Sequence, residues 1–454
     1  MKKLPGCAIG LLVIVSAAGL VWDRYLNVSI KPATEADIRA AVPAGLLPAA
    51  PDPMARSRFD RLVKITELMH RRYHGGTAYS REDISNLNDN VPRAIGAMGL
   101  VREGPLQAPG DAEFSKWPAV KTLARDLALT ASLAGKTGDS TVCEQSIQDG
   151  LDYAEAIRKA RGPIIGYLVS AGVDGIAIKN AADCIRSRCL KPADLRKLIG
   201  GTKEHGVDDE ELKEAYRQEL SAALFDKITG LMAICKALRD PRKQDDSNTT
   251  AGNFDALETA GVFAKVYGQW IVNAGRPWNA QDNSESKRVS DLENSLPKNP
   301  STPYLYGDQW PDADQKPPGA FEKLKYRMQM NATPNSWPAN IYGGLTDLGI
   351  MSRSTSIKAS CMRELLRGLA AIWAYKEEHG VKYPDSLGQL VADGYLKQLP
   401  TDRFSQKPLL YNSRTHVIYS VGESMKDLGG DMRQDVAEAR GNFGFAAHPR
   451  SSQS

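Results

Sequence analysis

The chain has 454 residues, 42% hydrophobic and 25% charged, and its 58 Lys and Arg against 54 Asp and Glu leave a formal net charge of +4. That length predicts two folded units, and the composition is that of an ordinary globular protein with a sizeable core. So small a charge, with no basic stretch interleaved with aromatics, gives no footing for nucleic-acid binding.

Met1-Lys2-Lys3 precedes an uncharged run from Leu4 to Trp22, closed by Asp23-Arg24. Two lysines ahead of such a run make either a secretory signal or a membrane anchor whose N-terminus stays in the cytoplasm. The run is at the short end for a spanning helix, which needs about 20 residues. Cleavage after Ser16-Ala17-Ala18 would leave a short apolar core, so the length favours an uncleaved signal-anchor over residues 1–26. Leu4-Pro5-Gly6-Cys7 has the composition of a lipobox but precedes the apolar run, the wrong order for a lipoprotein. Either surviving reading puts the bulk of the chain outside the cytoplasm, and the anchor makes it a single-pass inner-membrane protein facing the periplasm.

Residues 27–52 are rich in Pro and Ala and read as a spacer. A helical domain is expected over 53–356, its first helix starting near Pro53. Leu212, Tyr216, Leu220, Leu224, Ile228, Leu231, Cys235 and Leu238 recur three or four apart as one apolar face, ended by Asp240-Pro241. Residues 164–186 are apolar nearly all round and predict a central helix, and "LKPADLRKLIGG" predicts a short one with Pro192 in its first turn and Gly200-Gly201 at its exit. Helix pairs joined by short turns make an αα-hairpin array with no fixed repeat period. The cysteines beyond the apolar run are Cys143, Cys184, Cys189, Cys235 and Cys361, an odd set that cannot pair completely. Cys184 and Cys189 bracket "IRSR", where a bridge at a helix end and buried free thiols are both open.

Residues 275–340 break the helical rhythm as a long polar loop carrying Trp278 and Trp310, with Trp337 near its end. Such tryptophans either form a sugar or protein contact surface or pin the loop by burying their rings. Helix returns over 357–378, with Met362, Leu365, Leu366, Leu369, Ile372 and Trp373 on its buried face and His379-Gly380 as its end. Tyr383-Pro384 turns the chain, Asp385 or Ser386 caps a short helix, and strands are expected at 408–412 and 415–421.

Gly380, Tyr383-Pro384, Leu387, Leu390, Tyr395-Leu396, Leu399-Pro400, Asp402, Phe404, Pro408, Tyr411, Tyr419-Ser420, Gly422 and Gly429-Gly430 follow one another in an order and spacing that resembles the C-terminal half of the major pseudopilin of type II secretion. The resemblance covers about residues 357–431, so a small α+β pseudopilin-like module is expected over 357–434 with a flexible tail over 435–454. The whole layout resembles large, poorly characterised bacterial envelope proteins with an N-terminal membrane segment, a helical domain and this same end. The resemblance has departures. The anchor lies far upstream of the long helix, no processing site with a following Glu is present, and the turn "DRFS" has Arg403 and Ser405 where the pseudopilin has Pro and Gly. Assembly into a pilus through the usual helix is therefore not implied. The family's terminal loop binds calcium, which implies Ser420, Asp427 and Asp431 as candidate metal ligands, with Glu423 and Ser424 nearby. The competing reading is a Gly-rich turn with solvated acids.

Other chemical motifs fail on context. Gly135-Lys136-Thr137 ends like a phosphate loop, but Thr130 stands where the first glycine is required and the segment follows a helix instead of a strand. Glu67, His70 and His74 share a helical face without the H-E-x-x-H order of a zinc site. No G-x-S-x-G elbow occurs, and no catalytic or cofactor-binding set is singled out. The fold expected is mostly α, a helical αα-hairpin domain followed by the small α+β module, behind an N-terminal membrane helix. The function expected is a membrane-tethered, non-enzymatic binding or scaffolding protein of the envelope, with a protein partner there or in a type II secretion-like apparatus. An exported hydrolase of glycan or peptide, with its site among the helices, is the alternative.

Overall fold

The computed structural model describes residues 30–69, 81–108, 117–160, 162–201, 209–230, 254–295, 336–430 and 441–447, with isolated positions 232, 325 and 329. The apolar run, His70, His74, Cys235, Trp310 and Asp431 lie outside the described residues. Among the described residues no helix is long and apolar enough to cross a membrane. The protein is mostly helical, with a small sheet region near its C-terminus.

The chain falls into two compact units, one of Met1–Leu47, Leu220–Gln269 and Asn283–Gly349, the other of Pro48–Glu219, Trp270–Asp282 and Ile350–Ser454. In the first, β1 (Ile30–Lys31) pairs in parallel with β2 (Phe254–Asp255), and Lys31 meets Asp255 at 3.1 Å. Helix α1 (Glu35–Ala41) begins on a capping box in which Thr34 Oγ1 accepts from Asp37 N–H and Asp37 accepts from Thr34 N–H. This segment lies inside the expected spacer, so residues 30–47 are folded; the capping box supplies the local order that its prolines withhold.

In the second unit, α2 (Pro53–Glu67) starts where Asp52 Oδ1 accepts from Met54 and Ala55 N–H, with Pro53 in its first turn. Then follow α3 (Arg81–Glu103), α4 (Trp117–Thr137), α5 (Ser140–Arg158), α6 (Ile164–Arg186), α7 (Pro192–Gly201) and α8 (Asp209–Ala222). Gly135-Lys136-Thr137 is the end of α4 and not a phosphate loop. Helix α6 buries a broad face that includes Tyr167, Val173, Ile178, Ala181 and Ile185, but exposes Gly172, Gly175, Lys179 and Asp183. It is covered on about half its circumference and not all round as its apolar composition predicts. Leu212, Tyr216, Leu220, Leu224 and Ile228 are all buried, although α8 widens into a π turn over Ala223–Lys227. Helix α6 closes in a Schellman turn, with Cys189 N–H donating to the Cys184 carbonyl, Arg188 N–H to that of Ile185, and Arg188 at φ 58°. Cys143, Cys184, Cys189 and Cys361 are free thiols, which answers the question of a 184–189 bridge.

Helix α9 (Ala256–Ala274) leads into the polar segment, which carries a 3₁₀ turn at Trp278–Ala280 and a helix, α10 (Ser284–Ser295). Helix α11 (Ser336–Glu378) starts 21 residues earlier than the 357 expected from the sequence. The chain then turns into α12 (Leu387–Ala392), capped by Ser386 Oγ accepting from Gln389 N–H. A short hairpin of β3 (Thr401–Asp402) and β4 (Lys407–Pro408) precedes the antiparallel sheet β5-β6-β7, of Leu410–Asn412, Val417–Ser420 and Phe443–Ala446. Strand β7 falls in the segment expected as a flexible tail. It pairs Val417 with Ala446 and Ser420 with Phe443, and a Cβ on Gly444 would run into the Ile418 carbonyl oxygen, so glycine is what lets the strands close there.

The chain passes from the first unit into the second between Gly349 and Ile350, within α11. Leu365, Leu366, Leu369 and Trp373 of α11 share one core with Ile147, Ile178, Ala181 and Ile185 of the hairpin array and with Leu390, Leu396, Ile418 and Phe445. The closing module therefore completes the core of the helices that precede it.

Candidate functional site

Three segments of the second unit converge on a cavity of about 270 Å³. The first is the loop after α9, which is shut by the Asn273 carboxamide: Nδ2 donates to the Asp282 carbonyl at 2.6 Å and Oδ1 accepts from Asp282 N–H at 3.0 Å. Trp278 then packs edge-on against Phe404, ring centroids 5.5 Å apart, and both rings join the small core of Ile357, Cys361 and Val421. Of the two roles open to Trp278, the structure shows the pin. It holds Arg276 at the cavity.

The second segment is one face of α11, where Arg353, Ser356 and Ser360 stand at i, i+3 and i+7. All three are buried, Ser356 to 1% exposure, and Arg353 Nη2 donates to the Arg276 carbonyl at 2.6 Å. The Ser356 hydroxyl oxygen is buried with no hydrogen bond among the described residues, with the Tyr167 phenol nearby.

The third is the β3–β4 turn, which the buried Asp402 carboxylate organises. Oδ1 accepts from Phe404 N–H at 2.9 Å and Oδ2 from Val421 N–H at 2.9 Å, while the Cys361 thiol lies 3.5 Å from Oδ1 and accepts from Arg403 N–H at 3.2 Å. Burial, and then the Asp402 charge, push the Cys361 thiol well above the usual thiol range, so it stays protonated and serves as a packing and hydrogen-bonding group. The turn leaves Arg403 and Gln406 at the rim, Gln406 Nε2 donating to the Arg403 carbonyl at 2.7 Å. The result is a polar hollow with three guanidinium groups and no acidic side chain among its described lining residues.

The residues implied by the calcium resemblance are placed elsewhere. Ser420 is fully buried in β6, and its Oγ accepts from Gly422 N–H at 3.1 Å. Asp427 Oδ1 accepts from the Tyr419 phenol at 2.9 Å and from Gly429 N–H at 2.8 Å; burial and this carboxylate push the phenol up to about 12. Glu423 is taken up by the Ser354 hydroxyl. Among the described residues no group of three or more His, Cys, Asp or Glu side chains is placed to hold a metal ion. With these oxygens engaged in local turns, calcium titrated into the protein is expected to give no saturable heat. A stoichiometric isotherm would overturn that expectation.

The cavity was not singled out by spacing, because Arg276, Arg353 and Arg403 are far apart in the chain. The one local signal is that Arg353, Ser356 and Ser360 are polar and share one face of the helix. Comparison of the chain with protein-family models, with curated proteins and with solved structures finds no match.

Proposed function

We propose that the protein is a membrane-tethered, extracytoplasmic binding or scaffolding protein of the bacterial envelope, linked to a type II secretion-like apparatus. The observation that carries this reading is the closing module. A long helix ending at Glu378, a Ser386-capped short helix and a small antiparallel sheet follow one another in the order expected from its likeness to the pseudopilin. The lysine-led apolar run at 4–22 supplies the tether. A binding role is supported by the chemistry of the cavity, whose described lining offers guanidinium and hydroxyl groups.

The test is fractionation of cells making the full-length chain, followed by protease treatment of intact spheroplasts. The expected result is full-length protein in the membrane fraction, degraded from the outside. Full-length protein in the soluble fraction, or protection in spheroplasts, would overturn the tethered topology.

A further inference from the structure

We propose that the cavity between Arg276, Arg353 and Arg403 is a binding site for a phosphoryl group carried by a small polar molecule. The proposal goes beyond the tethered-protein reading and stands wherever the chain resides.

The donor set is the first argument. Three guanidinium groups, the hydroxyls of Ser356 and Ser360 and the carboxamide of Gln406 reach the hollow from three separate segments, and no described lining residue is acidic. Arg276 and Arg403 form no ion pair among the described residues. The acid that feels the Arg403 charge, Glu364 on α11, is itself held by Arg367. The charges of Arg276 and Arg403 thus stand at the cavity with no acid among its described lining residues. A guanidinium presents several N–H donors in a fixed fork suited to oxyanions.

Geometry chooses between oxyanions. A carboxylate is planar and carries one charge, so a single arginine fork satisfies it. Donors that arrive from a loop, a helix face and a hairpin turn suit a tetrahedral group with three terminal oxygens and up to two charges. The buried Ser356 hydroxyl, whose neighbour is the Tyr167 phenol, is a donor of the kind such an oxygen would take up. Size chooses between free and esterified phosphate. The volume of about 270 Å³ leaves space beside the anion for a glycerol- or sugar-sized group. It is below the range of about 300–1,000 Å³ typical of drug-sized ligand pockets.

The experiment is isothermal titration of the full-length protein, in detergent, with glycerol 3-phosphate, inorganic phosphate and acetate. Saturable binding of at least one phosphate probe is expected, at least tenfold tighter than acetate. Tighter binding of glycerol 3-phosphate supports an ester ligand, and tighter binding of inorganic phosphate supports the free anion as the source of the same group. Arg276→Gln and Arg403→Gln remove the half-exposed and exposed arginines of the cavity. Each is expected to weaken phosphate binding tenfold or more while leaving the circular dichroism spectrum and urea midpoint unchanged. Absence of saturable binding to both phosphate probes, acetate binding of equal strength, or unchanged affinity in both variants would overturn the proposal.

Discussion

Replacing Arg363 by methionine is expected to cost about 3–5 kcal/mol of folding stability, the usual penalty for stranding a buried charge. Arg363 on α11 is 5% exposed in its side chain and is hydrogen-bonded through Nη2 to Asp174 on α6, itself 1% exposed, with Glu155 of α5 at 3.9 Å from Nη1. The arginine is thus the counter-charge for two acids within the shared core. Asp174 has no other ion pair among the described residues, whereas Glu155 keeps Lys159 at 2.6 Å. Removing the cation therefore leaves Asp174 as the main liability. The double variant Arg363→Met with Asp174→Leu is expected to recover most of the loss, because apolar groups of similar size often replace a buried pair at little cost. Urea unfolding at constant m-value measures both. A double variant as unstable as the single one would show that shape, and not charge, holds this contact.

Asp126 is expected to make the protein less stable as pH rises, and Asp126→Asn to abolish that dependence. The carboxyl sits on α4 at 1% exposure, accepting one hydrogen bond from Asn90 Nδ2 at 2.9 Å, and its Oδ1 has no hydrogen bond among the described residues. Burial pushes its pKa up to about 8 from the ordinary 3.8. Between those two values the folded protein holds a proton that the unfolded chain releases, so the unfolded state binds fewer protons and stability falls with pH. The penalty is absent below pH 4, grows through the interval and is complete above pH 8. At about 1.4 kcal/mol for each pH unit it amounts to several kcal/mol. Asparagine keeps an acceptor for Asn90 and carries no charge in either state. Urea midpoints at pH 5, 6.5 and 8 should therefore separate, the variant gaining steadily over the parent. Parallel curves would show that the carboxyl is already ionised in the fold.

These two groups were invisible in the sequence, while much of the scaffold around them was plain. Asp52-Pro53 marked the start of α2 because the cap and the fixed proline φ are local instructions. The same holds for Pro192 at the head of α7, Ser386 ahead of α12, and the apolar runs of strands β5 and β6. What escaped was structure whose reason lies elsewhere in the chain. Helix α10 is polar apart from Val289 and Leu292, and only Val289 is known to be buried, so its apolar period is too sparse to register. Strand β7 reads as "FGFA", too short to declare itself without β6 beside it. The arginine cavity is the extreme case. Each of its charges looks like an ordinary surface residue until the Trp278 pin, the Asp402-organised turn and α11 bring them to one place.

The position of β7 imposes an order on assembly. Until residues 443–447 have been made, β6 offers one open row of N–H and C=O groups, and the Tyr383 hydroxyl and His416 carbonyl await the Ala447 backbone that they bind at 3.2 Å and 2.8 Å. Fully buried Ile418 lies on that incomplete ribbon. A nascent chain must therefore keep an adhesive strand edge from its neighbours until residues 443–447 emerge. A stop codon ahead of Phe443 would leave that edge permanently available to a second copy.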